Sequence, residues 1–345
     1  MLLDPPLVHA PPFPRAPWIQ TPSPVRLEDL RGQVVVVHFW DFTCINCLRT
    51  LPYLRAWLDR YADIGLGILG IHTPEFTFAR DGRQVTAAVG RLGIRWPVLL
   101  DNEQQAWTSY GNRCWPTMYL LDARGYIRFK REGEGAYVET ERTVQSLLRE
   151  VQPEVPLLPL LEPLRADDDE GAVCFPASAE LQVDSLAGGP PPPRQIRTYY
   201  LPSVLEEGSF YAQGDWTSST DGLTLVGPTG AAVLLFHAAD VFAVLSPAPE
   251  PDRLPLDPVW TRIELDGEPL PIEHYGSDVF QDGGRAWTRV DAPRLYHLAA
   301  RLPPVRRRLG LHVSTPGWTV YAFSFGTCLV PPHSANESSQ EAMLC

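Results

Sequence analysis

Cys44 and Cys47 stand three residues apart in Trp40-Asp-Phe-Thr-Cys44-Ile-Asn-Cys47-Leu-Arg-Thr-Leu-Pro52, the closest pair among the six cysteines of the chain. That spacing suits thiol–disulfide exchange. A thiolate at Cys44 would face the unpaired amides and positive dipole end of a helix, which lower a thiol pKa, and Cys47 one turn deeper would reach the same sulfur and resolve a mixed disulfide. Two other readings fit a lone Cys-x-x-Cys: a structural zinc pair, or two incidental buried thiols. Zinc wants four ligands and no second Cys/His pair has ligand spacing, so no metal is expected, and no cofactor beyond a redox-active Cys44–Cys47 disulfide. Cys114, Cys174, Cys328 and Cys345 are too scattered for a disulfide scaffold. Cys328 and Cys345 could bridge near the C-terminus, or Cys345 could remain a free thiol on its polar tail.

The elements around the pair must put it where a strand gives way to a helix. Gln33 to Trp40 (QVVVVHFW) is a β-branched apolar run of strand length. Beyond the cysteines, Leu48, Leu51, Leu54, Trp57, Leu58 and Tyr61 recur at helical spacing, with Pro52 expected to kink the helix. Leu66 to Ile71 reads as a second buried strand, Val85 to Leu92 as a short helix, Trp96 to Leu100 as an extended piece and Glu103 to Tyr110 as another helix. Thr117 to Leu121 and Tyr126 to Lys130 flank Asp122-Ala-Arg-Gly125 and should pair as a hairpin, followed by a helix over 139–150. These elements make one α/β domain over 1–150.

From 151 to 195 prolines, an acidic run at Asp167 to Glu170 and the tract Gly188-Gly-Pro-Pro-Pro-Pro193 predict a linker, inside which Cys174 to Leu186 is less polar and could dock on a domain. Eight short strand candidates with turns predict an all-β sandwich over 196–331, and 332–345 a flexible tail. Trp216, Trp260, Trp287, Trp318, Tyr275 and Tyr296 could stack on sugar rings, but aromatics on short strands equally make a sandwich core.

Of the 345 residues 44% are apolar and 20% charged, so the chain is globular and not disordered. The net charge of −12 disfavours nucleic-acid partners, and no apolar run is long enough to cross a bilayer. As written, the sequence has neither a basic start nor a continuous apolar stretch near its N-terminus, so a cytoplasmic product is expected; an incomplete N-terminus would allow an extracytoplasmic one.

Trp115-Pro116-Thr117, opening a later strand, joins the Trp40-to-Pro52 string in resembling the thioredoxin superfamily. More closely, FWDFTCINCLRTLPYLRAW, IHTPEF, GNRCWPTMYLLDARG and GEGAYVETE resemble the thioredoxin-like domain of the DipZ family, within the broader TlpA/ResA-like and AhpC/TSA group. The resemblance implies a thioredoxin-like α/β fold with a central mixed sheet, followed by a jelly-roll-like β-sandwich resembling a carbohydrate-binding module, to which DAPRLYHLAA and WTVYAFSFG are similar. It implies a cis Pro116 bordering the active site, with Trp40, Phe42 and Trp115 as an apolar collar around the thiols. His38 occupies the position at which thioredoxins carry a buried Asp that relays protons to the resolving thiol; a neutral imidazole could do this near pH 7, or His38 could simply be a core residue. Thr50 stands where ResA-like reductases have a tuning glutamate. Glu75 or Glu134, each on a loop bordering the pair in this fold, could supply a carboxylate instead, or either could be an exposed, solvated acid. Cys114, two residues before Pro116, could capture Cys44 in an alternative disulfide or be a packed bystander.

The leading reading is a thiol–disulfide oxidoreductase acting on protein or small-molecule disulfides, with Cys44 as nucleophile, Cys47 as resolving thiol and an unidentified electron donor. A thiol peroxidase is the enzymatic alternative, but Asp41 and Val37 stand where peroxide-reducing relatives have Thr and Pro. The non-enzymatic alternative is an adaptor whose β-sandwich binds a partner or glycan.

Overall fold

The computed structural model describes residues 8–169, 172–247 and 258–329. The chain divides into two compact units, Met1–Asp169 and Glu170–Cys345.

The first unit is a six-stranded mixed sheet between helices. Its strands and helices run β1 (Trp18–Ile19), β2 (Val34–Trp40), α1 (Ile45–Tyr61), β3 (Leu66–His72), α2 (Gly82–Arg91), β4 (Val98–Leu100), α3 (Gln105–Ser109), β5 (Thr117–Leu121), β6 (Ile127–Glu132) and α4 (Tyr137–Val151). The order across the sheet is β1-β4-β3-β2-β5-β6. β2 lies parallel to β3, with Trp40 opposite His72, and antiparallel to β5. A run of valines with no polar alternation cannot present a wet face, and all seven residues of β2 are buried. Its even-numbered residues Val34, Val36 and Trp40 pack with α1, α2 and α4 in one core. Val35, Val37 and Phe39 face a second core on the other side, closed by Ala106 of α3 and by Phe13 and Trp18 of the N-terminal arm. α1 is continuous through Pro52.

The second unit is a nearly closed 13-stranded sheet around one core. Strand Phe210–Ser218 joins its two layers: Phe210 to Gln213 pair with Gly230–Phe236, while Gly214 to Trp216 pair with Arg197–Tyr199 and Trp216 to Ser218 with Leu223–Leu225. The switch falls at Gly214, whose φ of +104° and 2.6 Å clearance from Thr229 O to an added Cβ leave room for no side chain. Trp216, Trp318 and Tyr296 are fully buried in this core, so they are packing residues and offer no ring to a sugar. Trp260 is 48% exposed and meets Phe280 edge-on at 5.5 Å.

The stretch 151–195 is not a free tether. Leu157 and Leu161 pack on the first core. Leu181, Val183 and Leu186 enter the second, where Leu181–Gln182 pairs with Thr319–Gly326. Apolar residues spaced among the prolines anchor each half to a different unit. Cys328 and Leu329 pair through the main chain with Phe175 and Cys174. The tail 332–345 with Cys345, the side chain of Cys328, and hence any bridge between them lie outside the described residues.

Candidate active site

Cys44 is the N-cap of α1, in extended conformation (φ −85°, ψ 111°), and its Sγ accepts the Cys47 N–H at 3.2 Å while its carbonyl accepts Leu48 N–H at 3.1 Å. The sulfur therefore occupies the position that a helix N-terminus offers to an anion. Cys44 is half-buried; Cys47 is fully buried, and both are free thiols. Burial pushes the Cys47 thiol well above its ordinary range, the hydrogen bond and charge of Cys44 push it further, and a backbone hydrogen bond from Asp41 works against them. One thiol is presented and the other is held protonated behind it.

The Trp115–Pro116 peptide is cis, and Pro116 O accepts Gly133 N–H at 2.8 Å, which draws the Gly133–Gly135 loop to the start of β5. Trp115 is half-buried, donates its indole N–H to Thr73 O at 3.1 Å and lies 4.4 Å from the Trp107 ring. It packs against the same core as the thiols and stays partly open to solvent. Trp40 and Phe42 do not belong to a collar: they are 0% and 1% exposed, because the alternation of β2 and the turn after it aims both rings into the core beside Cys47.

His38 is fully buried on the β2 face that carries Trp40, neither ring nitrogen has a hydrogen-bond partner, and burial alone takes its pKa down to about 3. Glu75 anchors the loop after β3 through its N–H, which Asp41 Oδ2 accepts at 2.9 Å. Glu134 is not a solvated acid. Its carboxylate pairs with Arg165 at 2.7 Å and Arg49 at 3.7 Å; burial raises its pKa and the two guanidinium groups oppose the rise. Cys114 is half-buried, with Sγ 3.9 Å from Thr117 Oγ1, which also bonds Cys114 O at 2.8 Å. Thr50 reaches Asn46 O at 3.0 Å and Tyr137 Oη at 3.4 Å.

A model described as the AhpC/TSA family matches residues 9–130, and one described as the thioredoxin like C-terminal domain matches 182–326. These matches, with the DipZ and ResA relatives, support a DipZ/ResA-like protein of the thioredoxin superfamily. Protein DipZ of Mycobacterium bovis is 36% identical over 232 residues, 66% of this chain and 33% of DipZ. Thiol-disulfide oxidoreductase ResA of Bacillus thuringiensis is 27% identical over 129 residues, 37% of this chain and 69% of ResA. The chain thus spans about a third of the length of the DipZ relatives it matches. Among solved structures, a putative thiol:disulfide interchange protein DsbE from Chlorobium tepidum is 21% identical, covering 41% of this chain and 97% of that one at a TM-score of 0.38.

Two features of this thioredoxin-like unit escape a reading of the cysteine motif. His72 ends β3 and Asp41 directly follows β2, and both are 0% exposed with His72 Nε2 3.6 Å from Asp41 Oδ2. Their signal was an acid and a histidine at the carboxyl ends of neighbouring parallel strands, where α/β sheets place their sites. The other is the 157–168 segment: Leu164 N–H donates to Tyr53 Oη at 2.8 Å, Tyr53 donates to Asp168 at 2.7 Å, and Arg165 bridges Asp168 and Glu134 at 2.7 Å each. Its ligands to the fold are far apart in sequence, so no local pattern announces it. No helix among the described residues is long and apolar enough to cross a membrane.

Proposed function

We propose that the chain is a thiol–disulfide oxidoreductase in which Cys44 attacks a substrate disulfide and Cys47 resolves the mixed disulfide. The observation that carries this reading is the unlike setting of the two thiols: Cys44 half-exposed at the start of α1, Cys47 fully buried one turn on and held protonated. A buried second thiol waits until the first has captured a substrate. The names of the ResA and DipZ relatives point the same way. Trp115 has no main-chain hydrogen bond among the described residues, so its N–H and C=O are open to an extended disulfide-bearing segment beside Pro116. Where peroxide-reducing relatives have the threonine, this chain has Asp41, which favours disulfides over peroxide as substrates. In the second unit, a protein or glycan partner would meet Trp260 and Phe280, two exposed aromatics in edge-on contact.

Redox titration of the full chain in thiol/disulfide buffers, with differential alkylation read per cysteine by mass spectrometry, tests this. Cys44 and Cys47 should oxidise together as one two-electron couple, and Cys47→Ser should accumulate a mixed disulfide at Cys44. A potential near about −270 mV means a reductase and one near about −120 mV an oxidant. Oxidation of Cys44 with Cys114, or no pairing at all, sinks the reading.

A further inference from the structure

One outer face of the second unit carries aromatic and charged side chains in alternation. Four neighbouring strands build it, in the order Val279–Asp282, Arg285–Val290, Val259–Leu265 and Arg307–Val313. Trp260, Arg262 and Glu264 point outward between the buried Val259, Thr261, Ile263 and Leu265, as Arg285, Trp287 and Arg289 do between the buried Ala286, Thr288 and Val290. The register makes each cross-strand pair unlike: Arg289 lies opposite Trp260, Trp287 opposite Arg262, and Arg285, one step beyond the Ala286–Ile263 pair, beside Glu264. Phe280 extends the Trp287 row on one side, and His312 extends it beyond Arg262 on the other. Trp260 is 48% exposed, Phe280 38%, and Trp287 is half-buried. Arg262 and His312 both reach Glu264, His312 at 2.9 Å, whereas Arg285 and Arg289 have no ion pair among the described residues. In a chain of net charge −12, this face gathers three arginines against Glu264 and Asp282.

We propose that this face pairs with the same face of a second copy of the chain in a weak two-fold dimer. The proposal rests on the reading that a partner meets Trp260 and Phe280, and thiol chemistry has no part in it. Consider a two-fold axis lying in the contact plane, along the strands and midway between Arg285–Val290 and Val259–Leu265. It sets each residue over the unlike neighbour of the other copy. Arg289 then meets the second copy's Trp260 and Trp287 its Arg262, both cation–aromatic contacts, while Arg285 meets its Glu264 and Phe280 its His312. Every contact occurs twice. A uniformly acidic partner would suit the arginines and oppose Glu264 and Asp282, and a basic one the reverse, so charge complementarity selects the copy. A sugar ring stacks on a flat, open platform, and Trp260 and Phe280 meet at 76° instead of lying side by side. Four strands about 4.8 Å apart and five residues at about 3.3 Å each make a patch of about 14 by about 17 Å. That is well under the ~800 Å² per partner of a standard complex, which puts the dissociation constant at about 10–100 μM.

The test is sedimentation equilibrium of the full chain from about 5 to about 300 μM, with a phosphine reductant present to exclude intermolecular disulfides. The wild type should follow a monomer–dimer isotherm. Arg285→Glu and Glu264→Lys should each weaken dimerisation by about tenfold or more, because each sets like charges across the axis. An equimolar mixture of the two should dimerise again, since the mixed pair restores opposite charges at both contacts. Trp260→Ser should weaken dimerisation likewise, and it carries the test if Glu264→Lys loses its far-ultraviolet circular dichroism. A wild type that stays monomeric at every concentration overturns the proposal. So does a dimer indifferent to Arg285→Glu and Trp260→Ser, or a pair of folded charge variants that remain monomeric when mixed. A monomeric wild type whose tryptophan fluorescence titrates with laminarihexaose would give the face to a glycan instead. The redox titration of Cys44 and Cys47 does not read this face, so its failure would fault the oxidoreductase reading alone.

Discussion

His38 and Cys47 are both fully buried, and in each burial disfavours the charged form: the imidazolium of one, the thiolate of the other. For Cys47 the consequence is kinetic. In a Cys44→Ser chain, alkylation of Cys47 by iodoacetamide should be negligible near neutral pH and rise only well into the alkaline range. A Cys47 that reacts as fast as an exposed thiol would contradict its burial. For His38 the consequence is thermodynamic. Its folded pKa, about 3, lies below the ordinary value of 6.5, so the unfolded chain takes the proton first. Stability is therefore whole above about pH 6.5 and falls as pH drops toward 3. Between pH 7.5 and 5 this single group should cost about 2 kcal/mol. Urea unfolding of His38→Leu against wild type at the two pH values checks it: the difference between the proteins should shift by that amount in favour of the variant at the lower pH. A pH-independent difference would mean that the imidazole finds a partner or solvent.

At the scale of elements, β2, α1, β3 and the hairpin of β5 and β6 were legible because a single local pattern specifies each: a valine run, leucines at helical spacing, a turn tetrapeptide between strands. The cysteine motif was legible for the same reason. What was not legible depends on partners distant in sequence. Trp18 and Ile19 add a strand to the far edge by pairing with Leu99 and Val98, and nothing in Pro11-Pro-Phe-Pro14 forecasts it. The resemblance makes Trp40 part of a collar, and only its place in the sheet turns the ring into the core. The 157–168 segment looked like proline-rich tether because its anchors, Tyr53, Glu134, Glu141 and Gln145, are invisible from within it. Arg165 ties it to Glu134 while bonding Asp168 within it. Arg165→Ala leaves Glu134 with only the 3.7 Å contact to Arg49 and Asp168 with Tyr53, and should destabilise the first unit by about 1–3 kcal/mol. A denaturant midpoint unchanged from wild type would show the segment to be a passive wrapping.

For the whole molecule the governing fact is that the two units have separate cores with no residue in common. Thiol chemistry and sandwich integrity should then be separable by one substitution in the second unit. Gly214 is the place to make it, since an added Cβ there would meet Thr229 O at 2.6 Å in a left-handed backbone at φ +104°. Both the steric collision and the backbone penalty fall on the strand that joins the two layers, so Gly214→Val should cost the second unit about 2 kcal/mol or more. Calorimetry of the full chain should show one transition moved down and the other in place, while the Cys44–Cys47 couple, read by alkylation, titrates at its wild-type potential. The two halves of the linker keep the units apart energetically. Because Leu157 and Leu161 belong to the first core and Leu181, Val183 and Leu186 to the second, loosening the second unit frees only the latter group. If both transitions fell together, or if the potential moved with the sandwich, the units would be energetically coupled, and the second unit would have to be counted as part of the thiol site's scaffold.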